Sequence, residues 1–198
     1  MNMQRKFMQS TDALIREALH KKILQHQHNC PQTIVLDELG LAHGKNRIDI
    51  AVINGDIHGY EIKSSKDNLS RFISQLDQYR KSLQKLTIVA APNHIDEILN
   101  VSPDWCGVIK VEIGPRGGVK FKTIRRPSKN PSVDMVELAH LLWKKEAIEL
   151  LQEYGMKSNL NNKNRKALYE EIANHAKMEE LVAWIKNKFS KRETWRAV

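Results

Sequence analysis

Cysteine is nearly absent: the 198-residue chain holds only Cys30 and Cys106. Two cysteines are too few for a disulfide framework, so the cytoplasm is the expected compartment. Long apolar runs are missing as well. No stretch approaches the ~20 consecutive apolar residues that a membrane span needs. The start, Met1-Asn2-Met3-Gln4-Arg5-Lys6, leads into polar sequence and not into the apolar core of a signal peptide. Acidic residues are in deficit: 32 Lys and Arg against 23 Asp and Glu give a net charge of +9. The excess is +6 up to Arg126 and +3 after it. A basic balance of this size suits a polyanionic partner such as DNA, although solvated lysines produce it too. The remaining composition, 41% hydrophobic and 28% charged, is that of a globular protein.

What is present is concentrated between residues 37 and 79. Arg47-Ile48-Asp49-Ile50-Ala51-Val52-Ile53 and Ile57-His58-Gly59-Tyr60-Glu61-Ile62-Lys63 flank Asn54-Gly55-Asp56. Two β-branched runs around a turn signal read as a hairpin. Side chains two apart on a strand share a face, which joins Glu61 to Lys63. A three-residue turn pairs position 53 with 57 and sets Asp49 opposite Glu61, and Arg47 opposite Lys63. The tighter Asn54-Gly55 turn pairs Asp49 with Tyr60 and sends Glu61 to the other face, unless a bulge near Gly59 restores the phase. The preceding run, residues 33–41, reads as a strand that enters the hairpin through a His43-Gly44 turn, which places Glu38 opposite Asp49. A row of Glu38, Asp49 and Glu61 would repel itself, and a cation would relieve that. Charged residues alternating with apolar ones are also what any half-exposed strand shows.

These residues carry a resemblance. Asp49, the gap, and Glu61-Ile62-Lys63 closing a hairpin resemble the core of the PD-(D/E)XK nuclease superfamily, and the run through Asp67, Arg71, Gln75 and Tyr79 is similar to a family of small bacterial proteins of that fold. Gln75-Leu76-Asp77-Gln78-Tyr79 is similar to the Gln-x-x-x-Tyr motif of its exonuclease branches. The resemblance is good over residues 10–92 and looser beyond. The proline of the superfamily's name is replaced by Ile48, and the further acidic residue of the first helix would be Glu17, or its role would pass to Glu38. The resemblance implies a restriction-endonuclease-like αβββαβ core with a mixed sheet. It also implies a Mg²⁺- or Mn²⁺-dependent deoxyribonuclease in which Asp49, Glu61 and the Ile62 carbonyl bind the metal. Glu38 would complete a second metal position or act as a base, and Lys63 would orient the attacking water or stabilise the transition state. Gln75 would contact the scissile phosphate or a metal-bound water. Arg47, Arg71 and Tyr79 would contact nucleic acid. The alternative is a catalytically silent nuclease-fold module for DNA binding or assembly.

Along the chain, a helix is expected from the Ser10-Thr11-Asp12 cap to about His26, with Asp12 and Arg16 as a surface pair. A second helix is expected from the Ser65 to Asn68 cap cluster to about Gln84. Residues 86–91 read as a buried strand, 95–100 as a short helix, and 106–113 and 119–124 as further strands. The stretch 125–132 has two prolines and no apolar residue, the mark of a linker. It divides an expected nuclease-like domain, 1–126, from an all-helical subdomain, 127–198. Helices are expected there at 133–154, 164–175 and 178–189. The basic loop at 157–166 suits phosphate binding, while the bland reading packs these helices on the core or in a homodimer.

Overall fold

In the computed structural model, which describes residues 10–156 and 159–192, Thr11 caps the first helix by accepting a hydrogen bond from the Leu14 N–H, and α1 spans Asp12–Lys22. Residues 1–9, 157–158 and 193–198, which include the opening run and the start of the basic loop, lie outside the described part. The expected longer helix breaks after Lys22, which turns Leu24 fully into the core, and resumes as α2 (Gln25–Asn29).

Six strands follow one another across a single sheet in chain order. They are β1 (Ile34–Leu41), β2 (Asn46–Asn54), β3 (Asp56–Lys63), β4 (Lys85–Ala90), β5 (Gly107–Ile113) and β6 (Val119–Arg125). β1, β2 and β3 pair antiparallel, β3, β4 and β5 pair parallel, and β6 returns antiparallel. The parallel steps need crossovers, and helices α3 (Phe72–Ser82) and α4 (Ile95–Val101) supply them. The fold is therefore α/β with a mixed six-stranded sheet.

α3 begins at Phe72, later than the cap cluster suggests. Asp67 instead accepts from the Ser64 N–H and Asn68 from the Ser70 N–H. Short polar side chains that close their own turns in this way compete with helix.

Alternation along the strands sorts their side chains into two layers. Ile50, Val52, Tyr60, Ile62 and Val89 pack with Ile15 and Leu19 of α1 on one face. On the other face Leu36, Leu39, Ile48, Ala51, Ile53 and Ile57 pack under α3 and the C-terminal helices. These are α5 (Met135–Ala139), α6 (Lys144–Glu153), α7 (Arg165–His175) and α8 (Met178–Lys191). One helix was expected over 133–154, but the chain splits it. Asp134 caps α5, and the Glu146 carboxylate accepts from the Trp143 N–H to start α6. Gly155, at φ +83°, closes α6 as expected.

The helical region is continuous with the sheet. Leu138, Leu142, Leu168, Ile185 and Phe189 are fully or almost fully buried in the same cluster as Leu36 and Ile57. The 125–132 stretch is also anchored, since the Asn130 amide donates to the carbonyls of Arg80 and Leu83. Among the described residues, no helix is long and apolar enough to cross a membrane.

Candidate active site

The strand register follows the turn counts. Ile53 pairs with Ile57 across the Asn54-Gly55-Asp56 turn, and Leu41 pairs with Asn46 across the other. Side-chain direction does not follow simple alternation. Glu38 adopts φ +60° and drops out of the ladder. On β1, Leu36 and Leu39 reach the same core although they are three apart, and their partners Ala51 and Ile48 do likewise on β2. Both strands therefore shift phase together at Glu38 and Asp49, and the expected straight row of carboxylates is bent.

The bend turns Asp49 into the gap where the β2–β3 ladder ends. Its Oδ2 accepts from the Ile62 N–H at 2.6 Å, and its Oδ1 lies 3.2 Å from the Arg16 guanidinium. Arg16 also donates to the Asp49 carbonyl at 2.6 Å and pairs with Asp12 at 2.8 Å and Glu38 at 2.6 Å. Burial works against its charge, but the hydrogen bond and charge of Asp12, with the charges of Asp49 and Glu38, hold its pKa above the usual value. The spacing of Asp12 and Arg16 alone satisfies a surface pair. The packing of α1 on β2 makes Arg16 the cation at the centre of three carboxylates.

Glu61 and Lys63 are buried, at 3% and 8% exposure. Lys63 Nζ lies 2.7 Å from Glu61 Oε1 and donates to Gln75 Oε1 at 3.0 Å. The Tyr79 hydroxyl donates to Glu61 Oε2 at 2.7 Å. The pair Gln75 and Tyr79, one turn apart on α3, thus holds the lysine and the glutamate of β3. Tyr79, expected to contact nucleic acid, is fully buried, with its hydroxyl on Glu61 and near the Arg47 carbonyl. Arg47 and Arg71 are exposed, and Arg47 pairs with Glu38.

Burial, and next the charge of Glu61, push the Asp49 carboxyl up to about 7. Burial also raises Glu61, against the pull of Lys63 and Tyr79. The two carboxylates therefore feel each other across the gap while holding separate partners. Asp12 adds to the repulsion at both. It is the acidic residue of α1 that faces the site. Glu17 is exposed and pairs with Lys21 instead.

Among the described residues, no group of three or more His, Cys, Asp or Glu side chains is arranged to hold a metal ion. Asp49, Glu61 and the Ile62 carbonyl form a smaller set of hard oxygen donors. That carbonyl lies on the same edge of β3 as the N–H that reaches Asp49.

The family described as bacteriophage P4 protein cII matches residues 7–196. A relative, Protein cII of Enterobacteria phage P4, is 27% identical over 157 residues, covering 78% of this chain and 59% of the phage protein. The chain thus spans less than two thirds of that relative's length. No solved structure matches. The match over nearly its whole length makes this chain a member of the bacteriophage P4 cII protein family.

Proposed function

We propose that this chain is a metal-dependent nuclease of the PD-(D/E)XK type that hydrolyses phosphodiester bonds in DNA. The observation that carries the reading is the buried Glu61–Lys63 pair beside a carboxyl, Asp49, whose pKa is pushed up to about 7. Two mutually repelling carboxylates in a dry setting are what a divalent cation neutralises. Oxygen donors suit Mg²⁺ or Mn²⁺, which keep several waters and take only a few protein ligands. Asp49, Glu61 and the Ile62 carbonyl would hold the cation, which supplies a more acidic bound water and neutralises charge on the phosphate.

The other roles belong to the side chains. Lys63, fixed between Glu61 and Gln75, places its ammonium where charge grows on the phosphate oxygens. Tyr79 holds Glu61 in one orientation. Arg47 and Arg71, exposed near this end of the sheet and of α3, supply cations for the backbone of the substrate.

One observation favours a second reading. Arg16 already supplies a positive charge to Asp12, Glu38 and Asp49, which is the neutralisation a metal would bring. In that reading the fold serves as a DNA-binding or assembly module without turnover. Incubation with linear, circular and single-stranded DNA in Mg²⁺, Mn²⁺ or EDTA decides between them. Cleavage that EDTA stops supports the nuclease. Intact DNA in every lane with Mn²⁺ bound supports the module.

A further inference from the structure

A cleft separate from the carboxylates opens where the β1–β2 turn meets the C-terminal helices. Ala42 and His43 hold φ of +48° and +58°, followed by Gly44 at +81°. Consecutive left-handed residues other than glycine are strained, and such strain persists only when the surroundings hold it. Here it sets the His43 ring on that of His140, with centroids 4.3 Å apart, and 5.6 Å from that of Tyr169. Arg165, exposed at the start of α7, lines the same cleft. So does Arg192, already paired with Glu146 and stacked over Trp143. Among the described residues no acidic side chain lines the cleft. Glu137 lies 3.2 Å from His140 Nδ1, yet that buried nitrogen has no hydrogen-bond partner.

We propose that this cleft binds a phosphate of a nucleic-acid backbone, with Arg165 and His43 as the contacting residues. The proposal rests on the nucleic-acid reading above. His43 sits in the turn just past the end of β1, and Leu39, next in the chain to Glu38, lines the same cleft. A strand held both there and at the carboxylates would be gripped by the sheet and by the helical region together. The groups facing His43 are Glu137 from α5 and His140 just after it, Arg165 and Tyr169 from α7, Arg192 just after α8, and Lys45 from its own turn. Burial, and then the charges of His140, Arg165 and Lys45, lower the His43 pKa, while Glu137 raises it. An anion in the cleft offsets those cations, so binding draws a proton onto His43 and tightens as pH falls.

The test measures binding of a short fluorescent DNA duplex in EDTA across a salt series, with the His43 ring signals followed by NMR. Arg165→Ala removes an exposed side chain, and His43→Asn keeps a residue that tolerates left-handed backbone. Arg165→Ala is expected to weaken binding several-fold and lower the salt slope by about one. His43→Asn is expected to flatten the pH dependence, and duplex should raise the His43 pKa in the wild-type protein. Unchanged affinity and slope in Arg165→Ala, or His43 signals blind to duplex, would overturn the proposal. A response of His43 to inorganic phosphate but not to duplex would overturn the nucleic-acid commitment, assigning the cleft to a free phosphate. Absent cleavage in the wild-type protein speaks against the nuclease, whereas a silent His43 speaks against the cleft.

Discussion

The Tyr79 hydroxyl holds one oxygen of Glu61 at 2.7 Å while Lys63 holds the other at the same distance, so both oxygens of a buried carboxylate are taken within the protein. The tyrosine oxygen also lies 3.0 Å from the Arg47 carbonyl, which shares its one proton and brings α3 against β2. Tyr79→Phe leaves the shape and removes the donor. A hydrogen bond to a charged, buried group is worth roughly 1.5–3 kcal/mol. Urea unfolding of Tyr79→Phe should show a loss of that order, and Glu61 should titrate higher still. An unchanged unfolding midpoint would show that the hydroxyl does not hold the carboxylate.

Asp49→Asn keeps size and hydrogen-bonding shape but removes a charge that a cation needs. It should abolish Mn²⁺ binding and cleavage together. Lys63→Ala leaves both carboxylates in place. It should still bind Mn²⁺ and cleave at least ~100-fold more slowly, the scale for losing one electrostatic stabiliser. Both should bind DNA as well as the wild-type protein. Undiminished cleavage by Asp49→Asn would move the site elsewhere.

The raised Asp49 pKa has a pH signature. The folded protein holds a proton at Asp49 up to about 7, whereas the unfolded chain releases it in the ordinary carboxylate range. This group's contribution is therefore most favourable at low pH, and it is lost as pH rises between about 4 and 7. Mg²⁺ competes with that proton, so its apparent affinity should climb through about pH 7 and then level off. Thermal unfolding with and without Mg²⁺, at about pH 5 and pH 8, reads this directly. The gain from Mg²⁺ should be larger at the higher pH and vanish in Asp49→Asn. Equal gains at both pH values would contradict it.

Removing the residues after Arg126 should not leave a folded sheet. Leu36, Leu39 and Ile57 share their packing with Leu138, Leu168 and Ile185, so truncation uncovers one face of the sheet. The truncated chain should lack a cooperative unfolding transition. A sharp transition with native-like dichroism would show that the sheet and α3 suffice.

Pairing in the β1–β2–β3 unit was legible because turn length sets register, and both turn counts lead to the observed partners. Where the carboxylates point was not legible. That depends on the left-handed backbone at Glu38, a residue whose type does not call for it. Gln75 and Tyr79 were legible as one helical face, but their partners on β3 depend on how α3 docks. Arg16 was hidden for a related reason. Its spacing from Asp12 satisfies a surface pair, and only the tertiary contact with β2 gives it Asp49 and Glu38. The split between α5 and α6 was missed because its cap comes from Glu146 alone, with Trp143 where a serine or threonine would have marked the start.

The matched phase shift of β1 and β2 limits how this hairpin can change in length. Losing one residue at Glu38 would restore regular alternation to β1 but leave β2 out of step, and every side chain beyond that point would then meet the wrong neighbour. A compensating loss on β2 would have to fall beside Asp49 or take it. In this hairpin an insertion or deletion cannot be made in one strand alone, and the irregularity cannot be repaired without disturbing the carboxylate that sits in it.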